Sequence, residues 1–157
     1  MPNMTLAAVA VQRRSIAIAL FRRTHLEEVL VRQLPTEAIK AGNSLVGFLR
    51  QVLERHPIEV AAFEVADDEG TRIHQYLQQV EDILRPAGVP LFKIPQQELF
   101  RSFAVSPLRR KDPLRRIVRS IWPILNSQEF GHAALDAAAL GLHVQTERLF
   151  TIKLPQQ

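Results

Sequence analysis

The sequence predicts an α/β fold: a five-stranded mixed sheet, with strands 1–3 antiparallel and helices on both faces. Three observations carry this. Residues 4–34 hold three apolar segments joined by connections short enough for hairpins. From Glu37 to Ile94 the apolar spacing alternates between the helical and the extended period. Beyond Pro95 the chain reads helical, with breaks. With 157 residues the chain is expected to form one domain, 1–157, long enough to bury a core without staples.

The first segment, residues 4–12, is apolar almost throughout, as befits a central strand covered on both faces. Residues 15–23 place Ile16, Ile18 and Leu20 on one side and Ala17, Ala19 and Phe21 on the other. Residues 26–34 mix Leu26, Val29 and Val31 with Glu27, Glu28 and Arg32, the pattern of a more exposed strand. Pro35-Thr36 offers a cap for a helix starting at Glu37 and running to about His56. Its expected buried stripe is Ile39, Leu45, Val46, Leu49, Val52 and Leu53, with Gly42 and Asn43 weakening its first half. Residues 58–65 read as a buried fourth strand. It should return parallel to the first, because the helix supplies a long enough crossover. Asp67 or Asp68 can cap the next helix, which carries Ile73, Tyr76, Leu77, Val80, Ile83 and Leu84. Pro86 and Gly88 close it, and residues 89–94 form a short fifth strand. A short helix over 95–103 and a basic connection over 104–112 follow. Asp112-Pro113 opens another helix that Pro123 ends or kinks, Trp122 is expected in the core, and a last helix spans about 129–149.

Composition removes several classes of function. Zero cysteines exclude a disulfide scaffold, a cysteine-ligated metal and a thiol nucleophile. No apolar run approaches the roughly 20 residues that span a bilayer. The first residues lack a basic n-region, and Arg13-Arg14 interrupts the first apolar stretch, so a cytoplasmic protein without membrane contact is expected. The serines lack a nucleophile-elbow context, and the glycines form no phosphate-cradling loop. Charge is unevenly placed. Residues 101–119 carry Arg101, Arg109, Arg110, Lys111, Arg115, Arg116 and Arg119 against Asp112 alone, a local +6 in a chain of net charge +4. Arginine forks suit phosphate oxygens, so this stretch is either a polyanion-binding surface or an ordinary solvated face.

Two carboxylates stand out. Glu64 lies in the otherwise apolar run Ala62-Phe63-Glu64-Val65, and Asp136 lies in Leu135-Asp136-Ala137-Ala138-Ala139-Leu140-Gly141-Leu142. A carboxylate in such surroundings has either a partner that neutralises it or a functional reason to be there. Lys111 and Arg116-Ile117-Val118-Arg119-Ser120-Ile121 precede the second motif. In this order, after three antiparallel strands and alternating helices and strands, the chain resembles the RuvC-type Holliday-junction resolvases of the ribonuclease H-like superfamily.

That resemblance implies a nuclease using two divalent ions, about 3.5–4 Å apart, held by converging carboxylates. Mg²⁺ would be the cofactor, with Glu64 and Asp136 as catalytic and metal-binding acids, and with Asp67 and His132 as secondary candidates. His132 stands one helical turn before Asp136. Nucleic acid, expected to be DNA, would be the partner, and a homodimer is implied. Arg13, Arg14, Arg109, Arg110, Lys111, Arg115, Arg116 and Arg119 would contact phosphates. The chain departs from the family pattern at the first strand, where Val11 or Gln12 takes the place of an aspartate. Ala133 stands where another acid or a histidine is usual. Two readings follow: a metal-dependent endonuclease acting on branched DNA, or a catalytically degenerate module that binds or assembles. Either way Glu64 and Asp136 are expected to approach each other and to hold metal poorly, with Arg13 and Arg14 as candidate compensating cations.

Overall fold

The structure, a computed structural model, describes residues 5–23, 25–65, 70–103, 111–127 and 130–149. Strands β1 (Thr5–Gln12), β2 (Ser15–Arg22) and β3 (His25–Gln33) form the antiparallel meander. Helix α1 (Ala38–Arg55) crosses over to β4 (Val60–Val65), which pairs parallel to β1. Helix α2 (Thr71–Leu84) leads to β5 (Leu91–Pro95), parallel to β4, giving the sheet order β3-β2-β1-β4-β5. Helices α3 (Gln96–Ser102) and α4 (Asp112–Ile121), a 3₁₀ turn (Pro123–Asn126) and α5 (His132–His143) follow. The expected mixed sheet and strand directions are those observed. No helix among the described residues is long and apolar enough to cross a membrane.

Strand alternation splits the core between the two faces of the sheet. Ala7, Val9, Ile16, Ile18, Leu20, Ala61 and Phe63 face α1 and α2. Leu6, Ala8, Ala17, Ala19, Phe21, Val60 and Ala62 face α5. On the first face the buried stripe of α1 contains Ala41, Leu45, Phe48, Leu49 and Val52. Ile39 instead lies exposed, because the sheet-facing stripe begins one half-turn later, at Ala41. Gly42 has a packing reason: a β-carbon there would press on the Gln79 amide of α2 at 3.0 Å. Glu37, without a side-chain cap bond, precedes α1, and the Thr36 carbonyl accepts from Arg72 at 2.9 Å. Gly70 takes the N-cap position of α2, while Asp67 and Asp68, expected to cap it, lie outside the described residues.

The second face is built from small residues on both sides. Ala133, Ala134 and Ala137 of α5 meet the sheet alanines, so helix and sheet approach closely. Gly141 is the tightest point, where a β-carbon would overlap the Phe21 ring. Trp122 packs edge-on against the same ring, with centroids 5.8 Å apart, and also reaches the α3–α4–α5 cluster. The last helical stretch is not continuous as expected: α5 ends at His143 and a π-helical segment, Val144–Leu149, continues it. A local partner accompanies this wider turn. Glu98 of α3 accepts two bonds from Arg148, at 2.9 and 2.7 Å, and lies 2.5 Å from His143 Nε2. The Arg148 guanidinium also sits over the Phe92 ring of β5.

Two predictions follow from this packing. Gly141→Ala should destabilise the chain by about 1–3 kcal/mol, the usual cost of overpacking, measured by urea denaturation. The Arg148 hydrogen bonds, followed by that to His143, hold the Glu98 carboxyl down at about 2 against a burial effect of opposite sign. A depressed carboxyl contributes stability above its unfolded value, and that contribution disappears as pH falls toward 2. Glu98→Gln should therefore flatten the pH dependence of urea stability between about pH 4.5 and 2.

A cation-bridged carboxylate cleft as the candidate functional site

Glu64 follows Ala62 on the α5-facing side of β4, one residue before the strand ends. Across the sheet, the parallel register pairs Val9 with Phe63, which places Ala10 beside Glu64. Gln12 shares that face two residues later, whereas Val11 packs into the opposite core. Asp136 stands on α5, and the small-residue packing of that helix lets its short side chain reach the ends of β1 and β4. Both carboxylates line a cleft of about 290 Å³ together with Ala10, Gln12, Gln96, Lys111 and Arg115.

Helix α4 supplies the cations. Lys111 precedes its first turn and Arg115 follows four residues later, so both project to one side. Lys111 Nζ donates to Glu64 Oε1 at 2.5 Å and to Asp136 Oδ2 at 3.5 Å. Arg115 grips Asp136 with two parallel bonds, Nε to Oδ1 at 2.8 Å and Nη2 to Oδ2 at 3.0 Å. Gln96 donates to Glu64 Oε2 at 2.9 Å, and Gln12 donates to Asp136 Oδ2 at 3.4 Å. Asp136 is 5% and Glu64 13% exposed at the side chain, so these bonds act largely out of water. Burial works to lower the Arg115 pKa, but the Asp136 hydrogen bonds and charge outweigh it and raise the value. The guanidinium therefore stays charged.

The expected pair of acids is thus brought together, with different compensating cations. Arg13 and Arg14 lie exposed in the β1–β2 turn, while Lys111 and Arg115 neutralise the carboxylates from α4. A two-residue hairpin turns its side chains outward, whereas α4 is pinned by buried Leu114 and Val118 with its cations facing in. Arg116 and Arg119 of the same helix are exposed. His132 is exposed at the start of α5 and does not line the cleft. Asp67, Arg109 and Arg110 lie outside the described residues. Gln96 was not a sequence candidate, since an amide at a strand–helix junction carries no distinctive pattern.

Paired divalent ions do not suit this donor set. Among the described residues no three His, Asp or Glu side chains converge. All four carboxylate oxygens of Glu64 and Asp136 already accept from protein N–H groups. The first strand adds no carboxylate: it offers Ala10 and the Gln12 amide, whose nitrogen donates to Asp136. What the arrangement does chemically is neutralise one buried and one partly buried acid and fix the start of α4.

Such an arrangement makes a directional prediction. Asp136→Ala leaves the mostly buried Arg115 with only the exposed Asp112, at 3.6 Å, as a partner and should cost about 3 kcal/mol in urea denaturation. An Asp136→Leu, Arg115→Met double variant removes both charges and should recover most of that loss.

No family model matches the chain, and no curated protein matches it in sequence. Solved structures do match. Thermus thermophilus RuvC in complex with a Holliday junction substrate superposes with a TM-score of 0.73 at 19% identity, covering 94% of this chain and 97% of that one. A second Thermus thermophilus RuvC structure gives 0.65 at 18% identity, covering 92% and 98%. The likeness spans nearly all of both chains, and the chain therefore has a RuvC-like, ribonuclease H-like fold.

Proposed function

We propose that this chain is a RuvC-like nucleic-acid-binding module, with DNA as its partner, that does not cut phosphodiesters by metal-ion chemistry. The observation that carries this reading is the division of cations along α4. Lys111 and Arg115 turn inward and are matched by Glu64 and Asp136, while Arg116 and Arg119 are exposed to solvent. Inward cations have no charge left for a phosphate; exposed ones do. Arg13 and Arg14, exposed directly after Gln12, add positive charge at the cleft's end of the sheet. Backbone contacts of this kind give affinity with little sequence preference. The likeness to a resolvase bound to a four-way junction supports branched DNA as the first ligand to try.

The alternative, a Mg²⁺-dependent endonuclease, is supported by the convergence of Glu64 and Asp136 and opposed by the N–H donors on all their oxygens. Fluorescence anisotropy on branched and linear DNA across a salt series tests the binding. Affinity should fall by about 0.9 log units per phosphate contact per log unit of salt, and Arg116→Ala with Arg119→Ala should reduce that slope by roughly 2. Salt-insensitive binding, or none at low salt, returns α4 to an ordinary solvated surface. Incubation of the same DNA with Mg²⁺ or Mn²⁺ should yield no product. Cleavage that disappears in Glu64→Gln would establish the endonuclease instead.

A further inference from the structure

We infer that Lys111 is the resident cation of the Glu64–Asp136 pair, occupying the place between the two carboxylates and closing it to divalent metal. Its ammonium bonds one oxygen of each acid, and no other described side chain does so. A metal ion bridging the two acids needs lone pairs at about 2.0–2.6 Å on the oxygens that face each other, and Lys111 Nζ already bonds these, Glu64 Oε1 and Asp136 Oδ2. To enter, the ion would have to expel the ammonium and then sit near the Arg115 guanidinium, a like charge in a site of reduced dielectric.

The ammonium also has an advantage that a dissolved ion lacks. Lys111 is carried at the start of a helix anchored by Leu114 and Val118, so its charge is delivered within the molecule at high effective concentration. Between Glu64 and Asp136 the two acids meet two bases, with Asp112 an additional, exposed partner of Arg115 at 3.6 Å, and Gln12 and Gln96 complete the hydrogen bonds. Lys111 thereby ties the start of α4 to the end of β4, joining elements 47 residues apart in the chain. The inference shares with the proposed function only its metal-free cleft; it does not depend on nucleic-acid binding.

Thermal unfolding of the full chain, without nucleic acid, tests it. The wild type should show no rise in Tm with millimolar Mn²⁺. Lys111→Met leaves two acids facing one guanidinium, and its Tm should fall by about 5–10 °C. Mn²⁺ at ten times its Kd should then raise the variant's Tm by about 3–5 °C. A Glu64→Gln, Lys111→Met double variant lacks the excess anion; it should unfold nearer the wild type and ignore Mn²⁺. If Lys111→Met folds only when Mn²⁺ is present, the inference stands. It is overturned if Mn²⁺ stabilises the wild type as much as the variant. It is equally overturned if Lys111→Met melts like the wild type, or if Mn²⁺ fails to rescue it while the double variant folds. Loss of DNA binding in the wild type would sink the proposed function and leave this result unchanged.

Discussion

Two carboxylates out of water at the end of a sheet must be neutralised, and the placement of α4 depends on how this is done. Glu64 is delivered by β4 and Asp136 by α5, elements that meet because β4 lies beside β1 and α5 lies across both. Left alone, the acids would repel each other and bear the cost of desolvation. Lys111 and Arg115, from one helix and one turn apart, cancel the repulsion and offset the desolvation. Arg116, next in sequence, points away from the cleft, and Arg119, a further turn along, lies beyond the cleft's end; both are exposed. A single short helix therefore has an electrostatic anchor facing in and a basic surface facing out.

The reach of Asp136 is a consequence of packing. Aspartate has a short side chain, so its helix must run close to the sheet if the carboxylate is to meet residues of β1 and β4. The layer between α5 and the sheet is rich in alanine, and Gly141 lies against Phe21 where even a methyl group would collide. Alanine-rich packing thus contributes geometry as well as buried area. On the other face, where no side chain has to reach through the layer, larger residues such as Phe48, Leu49 and Tyr76 fill the space.

A second ion cluster secures the far end of α5. Glu98, His143 and Arg148 link α3 to the π-helical segment, and the cation of Arg148 rests on Phe92. The two clusters differ in setting. Glu98 is 27% exposed and is matched by an arginine that is 36% exposed, so solvent screens part of that interaction. Asp136 is nearly enclosed, and its partner is held by a bidentate grip. For this reason the cleft pairing is the less screened of the two.

The sequence by itself determined the sheet. Alternating and continuous apolar runs identify strands, two-residue connections demand hairpins, and an 18-residue helix before β4 permits a parallel return. It also singled out Glu64 and Asp136, because a carboxylate in an apolar run is conspicuous on either period. Tertiary structure alone decided what neutralises them. Lys111 and Arg115 stand in a stretch of seven cations whose one-dimensional pattern treats all as equivalent. Only the docking of Leu114 and Val118 fixes which side of α4 faces the cleft. Likewise Arg13 and Arg14 are close to the site in sequence, immediately after Gln12, yet the hairpin turns them to solvent. Ion pairing depends on distances of a few ångströms between side chains from different elements. Periodicity along the chain carries the direction of a side chain relative to its own element and nothing of the partner it meets.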